Sequence, residues 1–129
     1  ASAVLEHLPF PGETIRALLS NVAPGGFFYA RHPYIVPMMS AARRFGIAID
    51  FTFPGHLSDI GGAFWRKFID LAGMKDFSIV CSRPSPVESG FADAPLRTLA
   101  SFAMKSLWYL SFGAWKFVGG WEVVLKRKA

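Results

Sequence analysis

The sequence predicts a layered α/β fold in a single domain that spans residues 1–129. Strand-like segments alternate with segments whose apolar residues have helical spacing, which is typical of a sheet covered by helices. Apolar residues make up 52% of the chain and charged residues 18%, a balance that excludes a disordered segment, a collagen-like chain and a coiled coil. The length provides for one hydrophobic core and not for two.

The first elements are a strand end, a helix and a strand. Residues 2–5 form a short apolar run that we interpret as the end of a buried strand, and Pro9 and Pro11 exclude a helix directly after it. Residues 13–22 are predicted to be helical because their apolar side chains recur at i, i+3, i+4 and i+7. Residues 27–31 are almost all apolar, which indicates a strand buried on both faces.

The middle of the chain contains a short helix, an extended segment and a second helix. The short helix is predicted over 36–45, and the alternation of apolar residues over 47–53 then favours an extended segment. A loop leads into a helix predicted over 60–72, whose first turn Ser58 or Asp59 can cap.

The remaining elements are a strand over 77–82, a long helix over 96–118 and a final strand over 121–125. The long helix is apolar around most of its circumference. We therefore expect it to be buried on several sides, or to face lipid or a partner. A narrow polar edge runs along it at positions i, i+4 and i+8: Arg97, Ser101 and Lys105.

Charge and cysteine content limit the partners and the compartment. The net charge of +5 includes three basic residues in the tail 126–128, and the other basic residues are scattered along the chain. Nucleic-acid-binding proteins concentrate such residues in stripes with interleaved aromatics, so we expect no nucleic acid partner. The single Cys81 excludes an internal disulfide and favours a reducing compartment. We expect a cytoplasmic protein, either free or in contact with a membrane surface.

No motif in the sequence names a reaction by itself. Glycine-rich phosphate loops and metal-ligand spacings do not occur, and the histidines are far apart in sequence, so we expect no metal site. Position is more informative, because ligands bind at the carboxyl ends of strands in open α/β sheets. Those ends are followed by Glu6-His7, by residues 31–34 and by Arg83. Caps and loops use the same residue types, and the sequence leaves both interpretations open.

Two short motifs at a defined separation support a more specific expectation. Leu5-Glu6-His7 follows the first strand, and Pro24-Gly25-Gly26 separates the first helix from the second strand. In this respect the chain resembles the second half of class I S-adenosylmethionine-dependent methyltransferases, with Val22 where the family has leucine. The segments 54–58 and 71–74, and the final strand with Lys126, resemble later parts of the family less specifically.

The resemblance implies a partial Rossmann-like methyltransferase sheet. Its strands correspond to the family's strands four, five, seven and six in that spatial order, with the last strand antiparallel between 27–31 and 77–82. Residues 34–53 and the helical segment 96–118 are insertions relative to the family. The family's N-terminal half, which holds its glycine-rich loop and the acidic residue that binds the cofactor ribose, has no counterpart. We therefore expect a fragment that is inactive alone, with an incomplete site for S-adenosylmethionine.

The resemblance also implies roles for individual residues. Leu5, Glu6 and His7 would border the methionine end of S-adenosylmethionine, and His7 is the candidate catalytic base. The substrate side would contain residues 31–34, the loop 54–58 and the long helix 96–118, and its candidate binding residues are Arg31, His32, Tyr34 and His56. The reaction is an in-line transfer of a methyl group to an acceptor atom, which requires alignment and in some cases a base but no metal. The apolar helix 96–118 favours a small-molecule acceptor that is bulky and apolar, or lipid-like.

Two further expectations concern assembly and the alternative function. A truncated first strand leaves a sheet edge exposed, so we expect a homodimer or another form of self-association. If the match to the two motifs is a coincidence, the alternative is a non-enzymatic module that binds a membrane surface or another protein.

Overall fold

The computed structural model describes residues 1–48, 57–86 and 91–129. These residues form a mixed α/β fold with four α-helices and a three-stranded antiparallel sheet. In chain order the elements are α1 (Pro11–Ser20), β1 (Phe27–Tyr34), α2 (Val36–Arg44), α3 (Gly62–Leu71), β2 (Phe77–Pro84), α4 (Pro95–Leu110) and β3 (Gly119–Arg127). The extended segment predicted over 47–53 lies mainly outside the described residues, and His56 lies outside them as well.

The strand that comes last in sequence lies in the centre of the sheet. The strand order is β1-β3-β2, and β3 is antiparallel to both neighbours. Val124 pairs with Tyr29 of β1 and with Cys81 of β2, next to an irregularity in the β2 register. The predicted position and direction of the final strand are therefore confirmed.

The outer side of β1 is paired with the first residues of the chain. Ser2 forms a parallel bridge with Arg31, and the amides of Ala3 and Arg31 donate to the carbonyls of Arg31 and Ala1, each at 2.9 Å. The Leu5–His7 segment then turns away as one turn of 3-10 helix, with Leu5 and Glu6 buried. The predicted strand end is thus reduced to a single bridge, after which the chain turns.

The core lies on one face of the sheet. Successive side chains of a strand point to opposite faces, and the buried side includes Phe28 and Ala30 of β1 and Val123 and Leu125 of β3. Helices α1 and α3 cover this face, and the fully buried Trp65 of α3 has its ring centroid 6.1 Å from that of Phe28.

The other face of the sheet is only partly covered. Phe27 and Tyr29 are exposed there, although the sequence predicts β1 to be buried on both faces. Glu122 lies on the same face, where its carboxylate accepts hydrogen bonds from Arg83 Nε at 2.7 Å and from the Tyr29 hydroxyl at 3.3 Å. These bonds join all three strands through one buried carboxylate.

Helix α4 lies across the end of the sheet where β1 and β2 finish. The ring centroids of Trp108 and Trp121 lie 5.7 Å apart in an edge-on arrangement. The Lys105 ammonium of the same helix donates a hydrogen bond to the Ser85 carbonyl. The helix ends at Leu110 and not at residue 118 as predicted. The cause is a turn in which Phe112 and Gly113 have φ values of 50° and 83°, a left-handed conformation that a helix cannot continue through.

The predicted cap of α3 is also wrong. The carboxylate of Asp59 accepts the amides of Ile35 and Val36 at 3.1 and 3.0 Å, so it stabilises the start of α2 and not of α3. Gly61 precedes α3 without any side-chain cap.

Within the described ranges, no helix has the length and apolarity that a bilayer span requires.

The contact between α3 and the sheet can be tested at Gly62. A Cβ atom there would lie 2.6 Å from the ring of the buried Trp121 and 3.3 Å from the hydroxyl of the partly buried Ser82. We expect Gly62→Ala to lower the free energy of unfolding by about 1–3 kcal/mol in urea denaturation, because the interior cannot accept the methyl group without a backbone shift.

The matched control is Gly12→Ala in α1, where the new Cβ would meet only Phe68, at 3.6 Å. This substitution in a helix should leave the free energy of unfolding unchanged or raise it by about 0.5–1 kcal/mol. Equal stability of the Gly62→Ala protein and the wild type would contradict the described packing of α3.

Candidate functional site

A cavity of about 670 Å³ opens at the end of the sheet where β1 finishes and β3 begins. The Leu5–His7 turn, the end of β1, the start of β3 and one side of α4 form its walls. The cavity is within the size range of ligand-binding pockets and lies at the strand ends, where such pockets occur. We take it as the candidate functional site.

Glu6 supplies a buried carboxylate to this wall. Its backbone carbonyl accepts the amides of Leu57 and Ser58 at 2.7 and 3.1 Å, which fixes the turn against the next loop. The side chain is only 1% exposed, and its Oε2 atom has no hydrogen-bond partner within the described part of the chain. A buried carboxylate oxygen without a partner is unfavourable, and a positively charged ligand would remove that penalty.

His32 lies in the same wall but is held as a neutral imidazole. The Trp65 indole donates to its Nε2 at 3.0 Å, and its Nδ1 lies 3.3 Å from the Pro33 carbonyl. This pattern requires the tautomer with the proton on Nδ1. Burial lowers the pKa of His32 from 6.5 to about 4. Because both ring nitrogens are occupied, His32 positions the wall of the cavity and is not available as a base.

Three basic side chains lie around the cavity. Lys105 is buried, and burial, together with the nearby positive charge of Arg31, lowers its pKa from 10.5 to about 8. Arg31 and Arg97 also line the cavity, and neither guanidinium forms an ion pair or a hydrogen bond with another described residue. The cavity lining therefore combines three basic side chains with the carboxylate of Glu6.

The rest of the lining is aliphatic or small. Ile35 and Met38 line the cavity from the side of α2, and Ala100 and Met104 line it from α4. The lining includes neither phenylalanine, tyrosine nor tryptophan from any described segment. This composition fits an aliphatic group better than a stacked aromatic ring.

The structure brings together only some of the predicted site residues. Glu6, Arg31 and His32 line the cavity, whereas Leu5 is part of the hydrophobic core. His7 is not among the lining residues; its ring is half exposed, and its Nε2 is 3.9 Å from Glu6 Oε1. Tyr34 lines a second cavity of about 290 Å³, beside Trp108 and Trp121.

The sequence assigned no site residue in α4, although it contains a pattern that could have identified several. The predicted polar edge of this helix consists of Arg97, Ser101 and Lys105, and all three line the cavity. A polar stripe on an otherwise apolar helix that faces the carboxyl ends of strands indicates a ligand-facing side.

Comparisons with known proteins do not assign the chain to a family, because no family model and no curated protein matches its sequence. Among the described residues there is also no group of three or more histidine, cysteine, aspartate or glutamate side chains that could hold a metal ion. The candidate site must therefore be interpreted from its own geometry.

The buried His32 predicts a specific dependence of stability on pH. Its pKa is 6.5 in an unfolded chain and about 4 in the fold, so between these values the unfolded state binds the proton more strongly. The His32 contribution to the free energy of unfolding should fall as the pH falls from 6.5 to 4, by up to about 3 kcal/mol. Urea denaturation of the wild type and His32→Gln across this range measures it.

The His32→Gln protein should be less stable at pH 7 but should lose less stability on acidification. His7→Gln controls for the removal of an imidazole as such, because the His7 ring is half exposed. Parallel pH curves for the wild type and His32→Gln would show that His32 is not held as the neutral form.

Proposed function

We propose that the chain is the C-terminal half of a class I S-adenosylmethionine-dependent methyltransferase, which transfers a methyl group to an apolar or lipid-like acceptor. The observation that carries the proposal is the arrangement of the strands. Residues 1–3 lie beside β1, and β3 lies antiparallel between β1 and β2. This order agrees with the order that the Leu5-Glu6-His7 and Pro24-Gly25-Gly26 motifs imply by resemblance.

The Glu6 side chain supports a role for the Leu5–His7 turn in binding the cofactor. S-adenosylmethionine carries positive charge on its sulfonium and on its amino group, and the buried Oε2 of Glu6 has no hydrogen-bond partner in the described ranges. A cationic group placed at this wall would receive a charge-assisted contact in a poorly solvated environment. The chemistry of this wall therefore fits the methionine end of the cofactor.

The bound cofactor supplies a methyl group on a positively charged sulfur. Glu6 would hold the positively charged end of the cofactor, which would offer the methyl group as an electrophile to a lone pair of the acceptor atom. An acceptor that carries a proton must also lose it to a base. We assign that role to His7, because the two nitrogens of His32 are already engaged and His7 is half exposed beside Glu6.

The fold of this chain supplies only part of such a site. By resemblance, the glycine-rich loop and the ribose-binding acidic residue belong to a segment outside residues 1–129. We therefore propose that the isolated chain neither binds S-adenosylmethionine tightly nor catalyses transfer, and that both properties require the complete methyltransferase fold.

The test is calorimetric titration of S-adenosylmethionine into the natural protein that contains this chain. We expect binding, and we expect Glu6→Gln to weaken it about 10-fold or more, because a charge-assisted contact contributes about 1.5–3 kcal/mol. Glu13→Gln removes an exposed carboxylate of α1 and should bind like the wild type. Thermal melting establishes that each variant is folded.

Absence of S-adenosylmethionine binding by the natural protein would refute the proposed function. Binding that is unaffected by Glu6→Gln would refute the role of Glu6 alone. Tight binding to the isolated 129 residues would contradict the proposal that the site is incomplete.

A second candidate function is association with an anionic membrane surface through α4. The helix and its following turn expose large apolar side chains that include Leu96, Leu110 and the 99% exposed Phe112. Residues 95–121 contain no acidic residue, whereas the exposed Arg97 and Lys116 are basic. An apolar surface accompanied by positive charge is the combination that favours binding to anionic lipid headgroups.

Co-sedimentation with vesicles of phosphatidylglycerol and phosphatidylcholine tests this candidate. We expect the double variant Leu96→Glu/Leu110→Glu to reduce the bound fraction strongly, because it replaces exposed apolar contacts with charges that anionic lipids repel. Leu71→Glu at the end of α3 is the control, since Leu71 is similarly exposed but lies outside α4. Equal binding of the two variants would argue against α4 as the membrane contact, and loss of a dimer in gel filtration would instead identify α4 as a self-association surface.

A further inference from the structure

The charges around the large cavity are divided between its walls. Glu6 contributes a carboxylate from the Leu5–His7 turn, whereas Arg31 and Arg97 contribute guanidinium groups from β1 and α4. No ion pair within 4.0 Å joins Glu6 to either arginine. A cavity that only filled space between elements would be expected to pair these opposite charges with each other.

Both arginines are available to a ligand. Arg31 is part of the sheet, and the neighbouring Glu122 carboxylate, which faces it in the strand register, is already bonded to Arg83 and Tyr29. Arg97 lies near the start of α4, one helical turn before Ser101 and two turns before Lys105, and all three line the cavity. Arginine binds carboxylate and phosphate groups through paired hydrogen bonds, so two arginines in the lining of one cavity favour an anionic ligand.

The remaining lining indicates what the anion is attached to. Ile35, Met38 and Met104 supply flexible aliphatic surface, and the one aromatic ring among the described lining residues is the His32 imidazole, which is already hydrogen-bonded to Trp65. Methionine side chains adapt to irregular apolar groups. The volume of about 670 Å³ accommodates a chain of about ten carbons together with its headgroup.

We propose that this cavity binds an apolar chain that carries a carboxylate or phosphate headgroup, with the headgroup held by Arg31 and Arg97 and the chain lying against Ile35, Met38 and Met104. If this molecule is also the methyl acceptor, that part of the inference rests on the proposed methyltransferase function. In that case the anion contacts the arginines and the positive cofactor contacts Glu6, which keeps each charge beside a complementary one. Binding of the anionic chain itself does not depend on the cofactor.

Calorimetric titration of the 129-residue chain, without S-adenosylmethionine, tests the proposal. The probes are decanoate, 1-decanol, inorganic phosphate and dihexanoyl phosphatidic acid, each below its aggregation concentration. We expect decanoate or the phosphatidic acid to bind at least 10-fold more tightly than 1-decanol and than inorganic phosphate. Preference for decanoate identifies a free acid as the ligand, and preference for the phosphatidic acid identifies a phospholipid headgroup.

Variants at the two arginines supply the second arm of the experiment. Arg31→Gln and Arg97→Gln should each weaken binding of the anionic probe about 10-fold and leave 1-decanol unchanged. Arg16→Gln, on the exposed side of α1, makes the same change in net charge and should have no effect. If Arg31→Gln disturbs the sheet, as thermal melting would reveal, the exposed Arg97 still provides the test.

Two results would overturn the proposal: 1-decanol binding as tightly as the anionic probes, or Arg97→Gln behaving like Arg16→Gln. Either result leaves the methyltransferase proposal standing, because that depends on cofactor binding by the natural protein. Conversely, if the chain binds decanoate but the natural protein does not bind S-adenosylmethionine, the ligand site stands and the proposed methyl transfer is refuted.

Discussion

The position of β3 is the constraint on which the rest of the structure depends. The strands β1 and β2 do not pair with each other, so every hydrogen bond that joins them into one sheet passes through β3. This strand also supplies Trp121, Val123 and Leu125 to the core and Glu122 to the opposite face. Because β3 lies between β1 and β2 and is antiparallel to both, β1 and β2 run in the same direction and finish at the same end of the sheet. The cavity forms at that end.

The cavity owes its electrostatic character to the elements that meet there. The Leu5–His7 turn is fixed by hydrogen bonds from Leu57 and Ser58 to the Glu6 carbonyl, and it presents an acidic side chain. Helix α4 crosses the same end of the sheet, and its basic side chains line the cavity. Acidic and basic side chains from different elements therefore face the same cavity. Since water is displaced from such a space when a ligand binds, each charge acts over a lower effective dielectric constant than at the surface. The proposed binding of the cofactor and the proposed binding of an anionic chain both rely on these lining charges.

The sequence predicts those features that depend on local pattern or on a motif. The helical spacing in α1 and α3 is local, and the resemblance correctly places the last strand between β1 and β2. The roles of Asp59 and His32 could not be predicted, because they depend on partners distant in sequence: Asp59 caps α2 across 23 and 24 residues, and His32 accepts from Trp65 across 33. Gly113 is a residue type that ends helices, but the left-handed conformation of Phe112 before it is set by the turn and not by residue type, so the end at Leu110 could not be predicted. At the site, the polar edge of α4 was visible in the sequence, but its meaning required the cavity to be known.

The carboxylate of Glu122 has a consequence for the order of folding. It joins Tyr29 to Arg83, and its bond to Tyr29 spans 93 residues of sequence. Contacts between distant residues form late, because the entropy of closing a long loop must be overcome before the contact can stabilise the chain. The neighbouring pair α3 and β2 can associate early, whereas β1 and β2 must present unpaired edges until β3 arrives. Such intermediates are prone to pair with other chains. The yield of refolding should therefore fall the longer β3 takes to pair with β1 and β2.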